Sequence, residues 1–257
     1  MDSPSPVPDD YSNESSSESD HPINIDDKPC ADITKNEPDL ISLTSFLLGI
    51  VFGLFVGLIP TLKFKGINFY IIALTLFHFL EYYITAKYNP RKVHSDSFLL
   101  FGNGKEYIGA HTFALLECLV EYIIWPESKK TTGIQHYVAI IGMILTIIGQ
   151  HIRTTAMKTA AQSFSHILKR KKERDHTLVT TGLYAYFRHP SYFGFFWWTI
   201  GLQLVLFNPL SSLIFTLVLW RFFSKRIKVE EEYLISFFGN DYINYKKNTK
   251  VWIPFIQ

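Results

Sequence analysis

The sequence predicts an all-α integral membrane protein with about six transmembrane helices, the last two forming a helical hairpin. Three observations carry that prediction. The 257-residue chain is 47% hydrophobic and 16% aromatic, which excludes a disordered or fibrous protein as a whole. Several stretches of roughly 20 residues are nearly free of charge, the length a helix needs to cross a hydrocarbon core. When those stretches alternate across a bilayer, 21 of the 25 Lys and Arg fall on one side.

Residues 1–40 stand apart. They carry 11 of the 23 acids and only Lys28 and Lys35 among the bases, while the remainder of the chain is strongly basic. Rich in Ser, Pro, Asp, Glu and Asn, they cannot bury enough apolar surface to offset the entropy of ordering, so a disordered acidic cytosolic tail is expected. Its first residues lack a basic stretch followed by an apolar core, and position 2 is not Gly, so neither a secretory signal nor a myristoyl anchor is expected. Two cysteines, Cys30 and Cys118, cannot build a disulfide framework or a Cys-rich zinc site. Neither a metal nor a nucleic-acid partner is expected.

Four spans make up residues 41–152. Ile41–Pro60 contains no Asp, Glu, Lys, Arg or His. Ile67–Ala86 is interrupted only by His78 and Glu81, and Tyr107–Trp125 only by His111, Glu117 and Glu121. Gln135–Ile152 carries only His136 and His151. In the first span Gly49, Gly53 and Gly57 share one face and permit close approach of another backbone. That face suits a neighbour in the same chain or a second copy in a homodimer. The buried acids suit either an ion pathway or mutual pairing with His111, His151 and the interfacial bases.

Residues 153–257 are expected to hold the chemistry. A polar, basic stretch precedes two shorter apolar runs, Phe193–Phe207 and Leu210–Phe223, parted by the turn Asn208-Pro209. Lys169–Lys172 would touch anionic lipid. Proline favours the first position of a helix, so a helix is predicted to begin at Pro190. Free N–H groups of Ser191 and Tyr192 at its start would attract an anion, with His189 and Tyr192 beside them. Further on, Val229, Tyr233, Leu234 and Phe237 follow helical spacing and Gly239 is placed to cap it. Arg226 and Glu230 then share a face one turn apart. Tyr242, Tyr245, Trp252 and Phe255 suit a membrane interface.

Two strings stand out. The first reads His176-x-Leu178-Val179-Thr180-x-Gly182-x-Tyr184-x-x-x-Arg188-His189-Pro190-x-Tyr192-x-Gly194. After Asn208-Pro209 comes the second, Arg226-Ile-x-x-Glu230-Glu231-x-x-Leu234-x-x-Phe237-Phe238-Gly239-x-x-Tyr242-x-x-Tyr245. In this order, behind four hydrophobic spans, the chain resembles the isoprenylcysteine carboxyl methyltransferases over roughly residues 40–257. The resemblance implies methylation of the C-terminal carboxylate of a prenylated cysteine in CaaX proteins, forming a methyl ester. It implies S-adenosylmethionine as methyl donor and a multi-pass place in the endoplasmic reticulum membrane. The cofactor site would be built by the cytosolic loop and C-terminal segment, from His176, Thr177, Leu178, Val179, Tyr184, His189, Pro190, Ser191, Tyr192 and Glu230. Lys169, where the family often has Gln, would also contact the cofactor. Arg226 would be the catalytic, substrate-facing residue.

The physics of such a reaction fits the chain. A fifteen-carbon prenyl group gains on the order of 10 kcal/mol in lipid, yet its carboxylate belongs at the interface. That carboxylate has a reference pKa of about 3.3–3.7, so no general base is needed. Alignment and exclusion of water are needed instead, with Arg226 to fork onto the carboxylate and Phe195, Trp197 and Trp198 available for a dry wall. Both termini should be cytosolic, because moving one span would carry the basic C-terminal segment across the membrane. The rival is a phospholipid or other small-lipid N-methyltransferase, which would need Glu231 or His176 to remove a proton. A transporter built on Glu81, Glu117 and Glu121 would call for internal repeats, and none is visible.

Overall fold

The structure, a computed structural model, describes residues 24–25, 28–29, 37–100, 104–130, 132–173 and 176–257. Most of the expected tail lies outside them; within it, Asn24–Ile25 pairs antiparallel with Lys28–Pro29. Seven α-helices stand among the described residues: α1 Pro38–Gly57, α2 Lys65–Tyr88, α3 Lys105–Ile124, α4 Ile134–Ala160, α5 Pro190–Leu206, α6 Pro209–Phe238 and α7 Asn240–Asn248. The first four are long and apolar enough to cross a membrane.

Sequence chemistry explains the ends. Pro38, Pro190 and Pro209 open α1, α5 and α6, where the missing N–H has no helical partner to lose. The first lies within residues 1–40, so α1 begins three residues ahead of the first expected span. Gly239 ends α6 at φ 56°, a conformation that costs glycine little, and its N–H donates to the Ile235 carbonyl at 2.8 Å. The segment around Arg226 is therefore the second half of one 30-residue helix rather than a separate element.

The tightest contact runs between α4 and α5. A Cβ on Gly149 would lie 2.5 Å from the Gly194 carbonyl oxygen, and one on Gly142 2.6 Å from that of Gly201. These glycines let two backbones touch. The stripe picked out in α1 does something else: around Gly49, Gly53 and Gly57 nothing lies within 4 Å of an added Cβ. Among the described residues nothing packs at these glycines.

The acids expected inside the spans, Glu81 buried and Glu117 and Glu121 half-buried, are all engaged. Glu117 accepts the N–H groups of Leu210 (2.8 Å) and Ser211 (2.7 Å), capping α6 with the charge its dipole favours. Glu121 pairs with Lys129 at 2.5 Å, and Lys129 also donates to Asn208 Oδ1 (3.0 Å) and the Leu206 carbonyl (2.7 Å). The Asn208 amide donates to the Ala114 carbonyl at 2.8 Å. One end of the hairpin is thus tied to α3. Glu81 pairs with Arg153 and His166. Of the expected partners, the interfacial bases Lys129 and Arg153 serve, joined by His166 in place of His111 and His151, while His111 meets the Tyr70 hydroxyl at 2.6 Å. With each acid held this way, the ion-pathway reading loses its basis.

At the opposite end, residues 249–253 return to the bundle. Val251 and Ile253 bury against Phe196, Phe223 and Ile227, and the Arg188 N–H donates to the Lys250 carbonyl at 3.0 Å. Outward-facing side chains such as Leu116, Ile123, Ile147 and Leu217 are more than half exposed, leaving an apolar belt on the helices.

Candidate active site: two clefts and a shared wall

Two neighbouring clefts open where α4, α5 and α6 end opposite the Lys129 turn. The first encloses about 670 Å³, part of it open to solvent. Nine of the residues expected at a cofactor line it: His176, Thr177, Leu178, Val179, Tyr184, His189, Ser191, Tyr192 and Glu230. Two do not. Pro190 is buried at the first position of α5. Lys169 lines an adjoining hollow with Ser163, His176, Arg226 and Glu230, and pairs with Glu173 at 3.2 Å. Burial and then the neighbouring Lys92 bring Lys169 down to about 8.

The start of α5 differs from expectation. The Tyr192 N–H is not free for an anion; it donates to the His189 carbonyl at 3.1 Å. The side chains of this turn are held from α6 instead. Arg188 meets Glu231 at 2.8 Å, and Lys246 reaches the other oxygen at 2.5 Å. His189 Nε2 stands 3.3 Å from Glu231 Oε1, and its ring stacks on Tyr192. Burial pushes the Glu231 carboxyl up, but hydrogen bonds from His189 and Lys246, then Arg188, outweigh it and hold it at about 2.

Tyr242 and Tyr245 were expected at the lipid interface, and the fold corrects this: both line the first cleft. The Tyr245 hydroxyl donates to the Tyr184 carbonyl at 2.6 Å, and burial pushes it up to about 12. Tyr242 is 1% exposed, and its hydroxyl has no hydrogen-bond partner among the described residues. Trp252 and Phe255 remain exposed, as an interface requires.

The second cleft, about 950 Å³, is walled by Leu99, Phe195, Phe222, Phe223 and Ile167, and carries Arg153, His166 and Arg226. Of the aromatics proposed for a dry wall, Phe195 serves; Trp198 is core. Phe164, Ser165, Ser191 and Tyr192 border both clefts. In that shared wall the Tyr192 hydroxyl donates to Glu230 Oε2 at 2.5 Å and accepts from Arg226 Nε at 3.2 Å. Arg226 and Glu230 themselves lie 3.7 Å apart, as their spacing predicts. Arg226 Nη2 donates to the His166 carbonyl at 3.0 Å. The loop that supplies Phe164 and His166 leaves α4 at Ala161, whose φ of 44° is strained for a residue with a Cβ. It is pinned by Asn89, which donates to the Phe164 carbonyl at 2.9 Å.

Sequence reasoning missed Arg153, His166 and the Arg188–Glu231 pair. Arg153 sits one residue past the expected end of the fourth span, yet α4 continues to Ala160 and carries it into the core at 7% exposure. The signal was an unpaired Glu81 in a span, which demands a cation.

The profile of the Isoprenylcysteine carboxyl methyltransferase (ICMT) family matches residues 140–236, from the first half of α4 into the charged half of α6. The chain is 58% identical over 233 residues to the protein-S-isoprenylcysteine O-methyltransferase of Saccharomyces cerevisiae, covering 90% of this chain and 97% of that one. It is 40% identical over 218 residues to the human protein of the same name, covering 84% and 75%. A solved structure of the eukaryotic intramembrane Ras methyltransferase, an isoprenylcysteine carboxyl methyltransferase, superposes with a TM-score of 0.80 at 36% identity over 84% of this chain and 77% of that one.

Proposed function

The chain belongs to the isoprenylcysteine carboxyl methyltransferase family, and we propose that it joins methyl donor to prenylcysteine carboxylate across the wall formed by Tyr192, Glu230 and Arg226. It is a membrane methyltransferase that esterifies the C-terminal prenylcysteine of CaaX proteins. The carrying observation is the wall itself. One hydroxyl, Tyr192, bridges an acidic side chain facing a polar cleft and a guanidinium facing an apolar one.

The polar cleft suits S-adenosylmethionine. Glu230 offers an anion to a cationic ligand, Leu178, Val179 and Phe238 offer apolar and aromatic surface, and the unpartnered Tyr242 hydroxyl offers a donor. His176, Thr177, Tyr184, His189 and Ser191 would complete the contacts, with Lys169 at the adjoining hollow and Pro190 shaping the helix start. When bound, S-adenosylmethionine supplies an electrophilic methyl group on a positively charged sulfur. The residues of the chain do the rest. Arg226 forks onto the acceptor carboxylate and sets its line of approach. Tyr192, Phe195 and Phe223 exclude water, and because charge is neutralised as the ester forms, a dry site favours the transition state. No side chain needs to take a proton.

N-methylation of a phospholipid finds no support. Its relatives carry the carboxyl methyltransferase name, and Glu231, the base it would call on, is already held by Arg188, Lys246 and His189. We place the protein in the endoplasmic reticulum membrane with six spans and both termini cytosolic. In this reading residues 1–40 are an acidic tail, 41–152 a four-helix membrane unit and 153–257 the catalytic region. The open Gly49–Gly53–Gly57 face of α1 is the surface on which a second copy would pack.

The test is an acceptor panel with purified protein and tritiated donor. A minimal farnesylcysteine should be esterified and phosphatidylethanolamine left unlabelled; labelling of the phospholipid instead would reverse the assignment.

A further inference from the structure

The apolar cleft carries more nitrogen donors than one carboxylate needs. Arg153, His166 and Arg226 all line it, with His94 and a single acid, Asp96. If each could seize the acceptor carboxylate, the acceptor would settle in several places, only one of them facing the polar cleft.

Two of the three are already engaged. Arg153 forks onto Glu81, Nε to Oε1 at 2.5 Å and Nη2 to Oε2 at 2.8 Å, and its Nη1 donates to Ser191 Oγ at 3.1 Å. Its guanidinium lies 5.1 Å from the Phe195 ring centre. His166 Nε2 meets the same carboxylate at 2.8 Å. Glu81, on α2, is fully buried. Arg226 is bound differently: its Nε rests on a hydroxyl, its Nη2 on a backbone carbonyl, and Glu230 stands 3.7 Å away without a fork.

We propose that Glu81 is a positioning residue for the methyl transfer: its carboxylate occupies Arg153 and His166, leaves Arg226 to take the acceptor carboxylate, and holds through His166 the carbonyl that braces Arg226. A buried ion pair is by itself a weak source of stability, so selection of one donor side chain among three gives this pair a role that packing does not. The inference rests on the reading of Arg226 given above.

The experiment is a double-mutant cycle on purified full-length protein with a minimal prenylcysteine acceptor. Glu81→Gln keeps the shape but releases Arg153 and His166 to compete, so turnover should fall by about 10- to 100-fold with the donor KM unchanged. Removing the main competitor in E81Q/R153Q should recover most of the loss. A double variant no better than the single one would make Glu81 structural and overturn the proposal. If E81Q does not fold, Arg226→Gln still decides. The preference for a prenylcysteine carboxylate over its carboxamide as competitive inhibitor should vanish in R226Q; a preference that persists means Arg153 or His166 binds the carboxylate, and the proposal fails. Full turnover by R226Q would instead remove the reading of Arg226, a result distinct from an unrescued double variant.

Discussion

Arg226, proposed above to face the acceptor carboxylate, is held by two partners. The Tyr192 hydroxyl accepts from its Nε and the His166 carbonyl from its Nη2, so in the proposed reading the guanidinium is already held when an acceptor carboxylate arrives. Arg226→Ala should lower turnover by about 100-fold while calorimetry shows donor binding retained. Glu231 belongs to the other kind of residue, one that holds the site rather than reacting in it. Its folded carboxyl sits near 2, below the ordinary 4.5. The stabilisation it gives is therefore complete above pH 4.5 and lost as pH falls toward 2. Melting curves in detergent should show Glu231→Gln less stable than the parent at pH 7, with the gap closing below about pH 4.5.

Between helices, the contact of α4 with α5 decides where the site's first turn stands. Gly149 and Gly194 bring the backbones together two turns or less from Arg153 and Ser191, so any spreading there moves the shared wall. Gly149→Val would drive a side chain into the Gly194 carbonyl, which cannot move aside as a flexible side chain would. We expect a cost of about 1–3 kcal/mol, read as a lower melting temperature and reduced methylation. The same change at Gly49 meets open space within the chain and should leave the melting temperature of the monomer untouched. The glycine pattern of α1 was conspicuous in the sequence and that of α4 and α5 was not. Regular spacing reports a face, and only the neighbour reports whether that face is used.

Across the whole molecule, charge and burial both distinguish one end of the helix bundle from the other. Lys129 joins the α5–α6 turn at one end, while the clefts and most of the bases lie at the other. A donor from water and an acceptor from lipid can approach one wall from two sides. With the N-terminus cytosolic, Cys30 should react with an impermeant maleimide added to intact microsomes, and Cys118, which is buried, should not. Labelling of Cys30 only after permeabilisation would invert the topology.

The sequence by itself determined which stretches are long and apolar enough to cross a membrane, where proline opens and glycine closes a helix, and that Arg226 and Glu230 share a face. These depend on composition and on spacing within one helix, so neighbours in the chain suffice to read them. Tertiary structure alone decided that Glu81 answers to Arg153, 72 residues away, that Glu117 caps α6 rather than conducting ions, and that Tyr242 and Tyr245 turn inward to a cleft. Each of those depends on how helices are rotated about their axes and which ones touch. A charge buried in a low-dielectric interior demands a partner, but its strand of sequence does not say which helix will bring one.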